Sequence, residues 1–120
     1  MTETPLLDQE VIDALSEAIG TDGTRTVFEL FMVENRAYLD AIAAAAADMA
    51  DRRKRSEARR AAHTLKSGAG QIGAAALSAA AAAVERAGEN GADLAVSAAA
   101  LQRCAAATDV ALKAFLAALP

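Results

Sequence analysis

The sequence predicts an all-α protein, an antiparallel four-helix bundle with a short extra N-terminal helix, and three observations carry that prediction. Alanine supplies 35 of the 65 apolar residues, aromatics make up 3% of the chain, and tryptophan is absent. Alanine is the best helix former, whereas strands draw on the β-branched and aromatic side chains used sparingly here. Apolar stripes at helical spacing lie between breaks at Gly20–Gly23, Ile72–Gly73 and Gly88–Gly91. The same composition excludes a β-sandwich, a parallel α/β fold and a disordered chain. At 120 residues the chain is expected to form one domain, 1–120, with a core large enough to need no disulfide or metal staple.

Residues 1–5 are expected to be loose. A short helix then runs from Leu6 to Ile19, with Leu7, Val11, Ile12, Leu15 and Ile19 on one face. Gly20-Thr21-Asp22-Gly23 stops it. The second helix covers Thr24 to Met49 and turns Phe28, Phe31, Met32, Asn35, Leu39, Ile42 and Ala46 to one side. A polar segment, Asp48 to Lys54, separates it from a third helix over Ser56 to Gln71. Ile72-Gly73 makes a tight connection to a fourth, Ala74 to Ala87, with Leu77, Ala81 and Val84 as its seam. The last helix, Asp93 to Leu119, repeats Leu94, Leu101, Thr108, Leu112, Phe115 and Leu119 inward. Four long helices with short connections read as a bundle, and the leading helix as its lid.

Net charge is −4, which does not favour a nucleic-acid or anionic-membrane partner. Its distribution is uneven. Residues 1–51 hold 11 acids and 2 bases, whereas residues 52–70 hold 7 bases and 1 acid. A basic island in an acidic chain suggests a local anion site or a docking patch. Cys104 is the single cysteine and sits at helical spacing from Leu101, Thr108 and Leu112, as a small core residue would. Met1 to Glu10 has no apolar h-region and does not read as a signal peptide. Ser67 to Val84 is uncharged but rich in Gly, Ser and Ala, and is not read as a membrane span. A cytoplasmic protein is expected.

The chain has one histidine. With Ala58 at the origin of a helical wheel, Ala61, Ala62, Leu65, Ala69 and Ile72 form the core stripe of the third helix. His63 then falls about 140° away, on the solvent face, flanked by Arg59, Arg60, Lys66, Ser67 and Gly70. An idle surface histidine is one reading of that position. Against it, Ser67 and Gly70 leave open space beside the ring. Glycine inside a helix costs roughly 1 kcal/mol against alanine, so Gly68 and Gly70 suggest a close approach to the backbone.

Ala62-His63-Thr64-Leu65-Lys66-Ser67-Gly68-Ala69-Gly70-Gln71-Ile72-Gly73 resembles the signature of histidine-containing phosphotransfer (HPt) domains. The likeness extends to Phe31 and Leu39 in the second helix and to Leu77 and Val84-Glu85 in the fourth. Ser67 stands where glycine is commonest, and keeps the side chain small. The resemblance implies a phosphorelay intermediate of bacterial two-component signalling, a phosphocarrier without kinase activity of its own. His63 would accept a phosphoryl group from a receiver-domain aspartate or a kinase and pass it to another receiver. Lys66 would stabilise the phosphoryl oxygens. Arg59, Arg60, Ser67, Gly70 and Gln71 would form the receiver docking face. Expected partners are response-regulator receivers and a hybrid or sensor histidine kinase. No cofactor is expected on this chain, since Mg²⁺ would come with the receiver. The chain is read as a monomer.

Hairpin geometry nominates one more residue. In a hairpin centred near Ala74, His63 and Glu85 are each eleven residues from the centre and so lie level. The Glu85 carboxylate could then accept a hydrogen bond from Nδ1–H and leave Nε2 free. This is similar to the phosphotransfer domain of chemotaxis kinases. A salt bridge from Glu85 to Arg59 or Arg86 is the alternative. A second reading of the whole chain is a non-phosphorylated helical adaptor that binds a receiver or kinase through the same face.

Two further patterns are set aside. Gly68-Ala69-Gly70-Gln71-Ile72-Gly73 matches G-x-G-x-x-G, but that fingerprint needs a preceding strand, and here a helical run precedes it. Arg52-Arg53-Lys54-Arg55 with Arg59-Arg60 lacks the interleaved aromatics of a nucleic-acid surface. A basic rim that steers an acidic receiver fits better, as does a solvated helix start.

Overall fold

The computed structural model describes residues 4–120, arranged as α1 (Gln9–Ala47), α2 (Arg52–Gln71), α3 (Ala75–Glu89) and α4 (Ala95–Ala118), with no strand among the described residues. Adjacent pairs pack in the order α1–α2, α2–α3 and α3–α4, and α1 closes the ring against α4. Short connections make each neighbour antiparallel to the last. Of the segment expected to be loose, residues 1–3 lie outside the described residues, and the Pro5 carbonyl accepts the Ala76 N–H at 2.9 Å.

The short leading helix and the long second helix are two arms of α1, separated by a break at Gly20. Gly20 has φ 77° and ψ 177°, a conformation essentially confined to glycine. The interruption is therefore one residue and not four, and Gly23 is already helical. The buried Thr24 hydroxyl donates to the Gly20 carbonyl at 2.8 Å, which steadies the break. A straight helix of 39 residues would extend about 58 Å, yet the molecule's longest dimension is 48 Å.

The first arm of α1 lies against the α2–α3 turn. Asp8 N–H donates to the Gly73 carbonyl at 2.7 Å, and Ile12 is fully buried there. Ile19, expected to face inward, is 41% exposed because it ends the arm beyond that contact. The turn is a Schellman motif, with Gly73 at φ 83°, Ala74 N–H bound to Ala69 O and Gly73 N–H to Gly70 O. The α3 terminus repeats it with Gly91 at φ 69°, Ala92 N–H bound to Ala87 O and Gly91 N–H to Gly88 O. Helix α2 starts at Arg52, four residues before the expected Ser56, because the Asp51 side chain accepts the Lys54 N–H at 3.1 Å and caps it there.

The core follows the expected stripes. Ala58, Ala61, Ala62, Leu65 and Ala69 of α2 and Leu77, Ala81 and Val84 of α3 are buried against each other. Their small side chains let the two backbones approach closely. Phe28 and Phe115 meet with ring centroids 5.3 Å apart and tie α1 to α4.

Candidate functional site

Burial of Ala62 and Leu65 turns the intervening face of α2 outward, and His63 is there with 62% of its side chain exposed. On α3, burial of Ala81 and Val84 leaves Glu85 at the edge of the α2–α3 interface, with 13% of its side chain exposed. The register between the helices is held in part by Ser78, whose hydroxyl donates to the Lys66 carbonyl at 2.9 Å. In that register Glu85 bridges two residues of α2. Its Oε2 is 2.6 Å from His63 Nδ1, and its Oε1 accepts from Lys66 Nζ at 2.6 Å.

The hydrogen bond from Lys66 holds the Glu85 carboxyl below its ordinary value of 4.5; partial burial works the other way, and His63 adds to the lowering. Glu85 is thus ionised at neutral pH and only accepts hydrogen bonds, so His63 Nδ1 is the donor in their contact. In the neutral ring this leaves Nε2 with its lone pair, and Nε2 has no hydrogen-bond partner among the described residues. Sequence reasoning placed Glu85 beside His63 but missed its pairing with Lys66. The same hairpin arithmetic carried the signal, since Lys66 lies one turn nearer the connection than His63. No pairing of Glu85 with Arg59 or Arg86 is present.

A groove of about 360 Å³ opens beside the ring, lined by Arg59, Arg60, His63, Thr64, Glu85 and Glu89. Thr64 and Glu89 were not foreseen in it. The Arg60 guanidinium donates to Ser56 Oγ at 3.2 Å, and the Arg59 stem lies over Gly88. Ser67, Gly70 and Gln71 are exposed on the C-terminal half of α2. A Cβ added at Gly70 would meet only Ser78 Oγ, at 3.6 Å, so that face is open. Gly68 differs: its missing side chain faces the Phe31 ring of α1, 3.6 Å from where a Cβ would stand. Gln71 belongs to a second shallow groove with Leu30, Phe31 and Gly68. Cys104 is half-buried in α4, beside Thr108 and away from these residues.

No cluster of three His, Cys, Asp or Glu side chains is placed to hold a metal ion among the described residues. Among the described residues, no helix is long and apolar enough to cross a membrane. The family model for the Hpt domain matches residues 26–120 of this sequence. No curated protein sequence matches it. The crystal structure of histidine-containing phosphotransfer protein B from Pseudomonas aeruginosa PAO1 superposes with a TM-score of 0.84, over 97% of this chain and 98% of that one, at 20% identity. That likeness is one of fold.

Proposed function

The chain belongs to the Hpt domain family, and from that premise we propose that His63 carries the phosphoryl group in a His–Asp phosphorelay. The observation that supports this reading is the 2.6 Å contact between Nδ1 and the ionised Glu85 carboxylate, which leaves an exposed Nε2 as nucleophile. Nε2 attacks the phosphorus of a receiver's aspartyl phosphate as the bond from phosphorus to the carboxylate oxygen breaks. The aspartate leaves as a carboxylate, and the ring retains its Nδ1 proton. The phosphorylated ring is then cationic, with Glu85 facing the charge. Lys66, one turn from His63 and partly exposed, moves its ammonium toward the phosphoryl oxygens as they arrive. The reverse sequence delivers the group to a second receiver.

The residues around the ring serve docking. Arg59 and Arg60 attract an acidic receiver surface, while Ser67, Gly70 and Gln71 leave room for its active-site loops. Mg²⁺ is carried by the receiver in this reading. The protein acts as a cytoplasmic monomer and as a phosphocarrier, not a kinase, between a hybrid or sensor kinase and response regulators. Incubation with a phosphorylated receiver is expected to produce acid-labile, base-stable phosphate on His63. Stable receiver binding without any such label would leave the adaptor reading in its place.

A further inference from the structure

The end of the bundle where the α1–α2 and α3–α4 connections meet holds a half-open cavity of about 180 Å³. Arg52, Arg55, Ser56 and Arg59 line it, and Met49 and Leu94 supply apolar wall. Positions 52, 55 and 59 follow i, i+3, i+7 spacing, so the three arginines share one stripe of α2. None of the three is paired with a carboxylate among the described residues. The acids nearest in sequence are engaged elsewhere, Asp51 in capping the Lys54 N–H, Asp48 with the Lys54 ammonium and Glu57 with Arg53. Arg55 Nε is shut off from solvent and has no hydrogen-bond partner. A buried donor without an acceptor is uncommon and unfavourable, the more so on a charged group, and a small turn of the half-buried Arg55 side chain toward an oxyanion in the cavity would give it one.

We propose that this cavity binds a phosphate dianion, either inorganic phosphate or the head of a small phosphomonoester. Arg52 and Arg59 are exposed and Arg55 is half-buried; together the three guanidinium groups at this cavity offer more N–H donors than a single carboxylate can accept, and tetrahedral phosphate oxygens match them. The Ser56 oxygen already accepts from Arg60, which leaves its hydroxyl hydrogen for the anion. The cavity volume of about 180 Å³ leaves room for the five heavy atoms of phosphate. Met49 and Leu94 suit the carbon side of a monoester. Arg59 also lines the His63 groove, but the proposal does not depend on phosphotransfer.

The test is a titration of the full chain with inorganic phosphate and, separately, with glycerol phosphate, at ionic strength held constant by sodium chloride. Arginine Nε–Hε and backbone amide NMR signals report binding. Saturable shifts are expected at Arg55 Hε and the Gly91 amide. Arg55→Met should weaken binding by about tenfold or more, the worth of one charge-assisted hydrogen bond, while Arg53→Gln, outside the cavity, should bind like the parent. Tighter saturation by glycerol phosphate assigns the monoester, and the reverse order assigns free phosphate. If Arg55→Met does not fold, Arg52→Gln replaces it, with weakened binding again expected. Shifts that grow without saturating, or that persist in both cavity variants, overturn the proposal. So does protection of Arg55 Hε by an acidic receiver domain when neither phosphate compound affects it, which would make the cavity part of a protein interface.

Discussion

His63 Nδ1 and Glu85 Oε2 lie 2.6 Å apart, joining two helices across 22 residues of sequence. The other carboxylate oxygen holds Lys66 at the same distance, so one anion positions both the proposed nucleophile and the cation expected beside it.

His63→Gln is expected to abolish phosphoryl uptake and leave the fold intact. With 62% of its side chain exposed, the residue contributes little packing, and stability should change by no more than about 0.5 kcal/mol. Radiolabel transfer from a phosphorylated receiver, paired with thermal melts, checks both halves. Label retained in this variant would remove His63 as the acceptor.

Glu85→Ala should slow transfer by roughly tenfold, the low end for a group that orients another. Glu85→Gln should fall between, because its amide oxygen still accepts from Nδ1. In both variants the ring should sample more orientations, which NMR of this single imidazole would report. Unchanged transfer in Glu85→Ala would mean that the nucleophile needs no such partner.

The lowered Glu85 carboxyl also predicts a pH dependence of stability. Its folded-state value lies below the ordinary 4.5, so in that acid range the unfolded chain binds more protons than the folded one. Stability from this group is therefore complete above the ordinary value and is lost as pH falls through the folded value. Urea denaturation of the parent and Glu85→Gln should show a difference that is constant near neutrality and shrinks in acid below about 4.5. A difference that grows in acid would contradict the pairing.

Gly70→Gln should impair receiver-dependent transfer far more than folding. The position is open apart from Ser78 Oγ, and helix propensity should improve by up to about 1 kcal/mol. Labelling by a small phosphodonor should suffer less than transfer from a receiver. Equal receiver kinetics in variant and parent would move the docking face elsewhere.

Gly73→Ala and Gly91→Ala separate strain from crowding. Both glycines have positive φ, at 83° and 69°. A Cβ at Gly91 meets nothing within 4 Å, whereas one at Gly73 would lie 2.9 Å from Ile12 Cγ1 and 3.0 Å from the Asp8 carbonyl oxygen. Gly91→Ala should cost about 1 kcal/mol, and Gly73→Ala distinctly more, because it also drives the first arm of α1 off the turn. Chemical denaturation of the two variants measures the gap.

The helical class, the order of the elements and the core stripe of α2 were legible because alanine content and 3.6-residue spacing are local properties. The outward position of His63 followed from the same wheel. Its level with Glu85 followed from counting along one short hairpin, where few registers are open. Boundaries were less legible. The start of α2 depended on whether Asp51 or a later residue supplied the cap, and the extent of the break near Gly20 on whether one strained residue sufficed. Gly68 and Gly70 look equivalent in sequence, yet one faces Phe31 and the other solvent.

By itself, then, the sequence determined an alanine-rich helical bundle with one exposed histidine beside small and cationic residues, since helix periodicity alone decides which side chains share a face. Only the tertiary structure decided that Glu85 divides its oxygens between His63 and Lys66, and that Arg52, Arg55 and Arg59 surround a cavity with a buried, unpartnered nitrogen. Those relationships depend on the close approach of α2 to α3 and on the meeting of two interhelical connections. Helix-to-helix distances are set by how small side chains pack across an interface, and no pattern along a single helix encodes them.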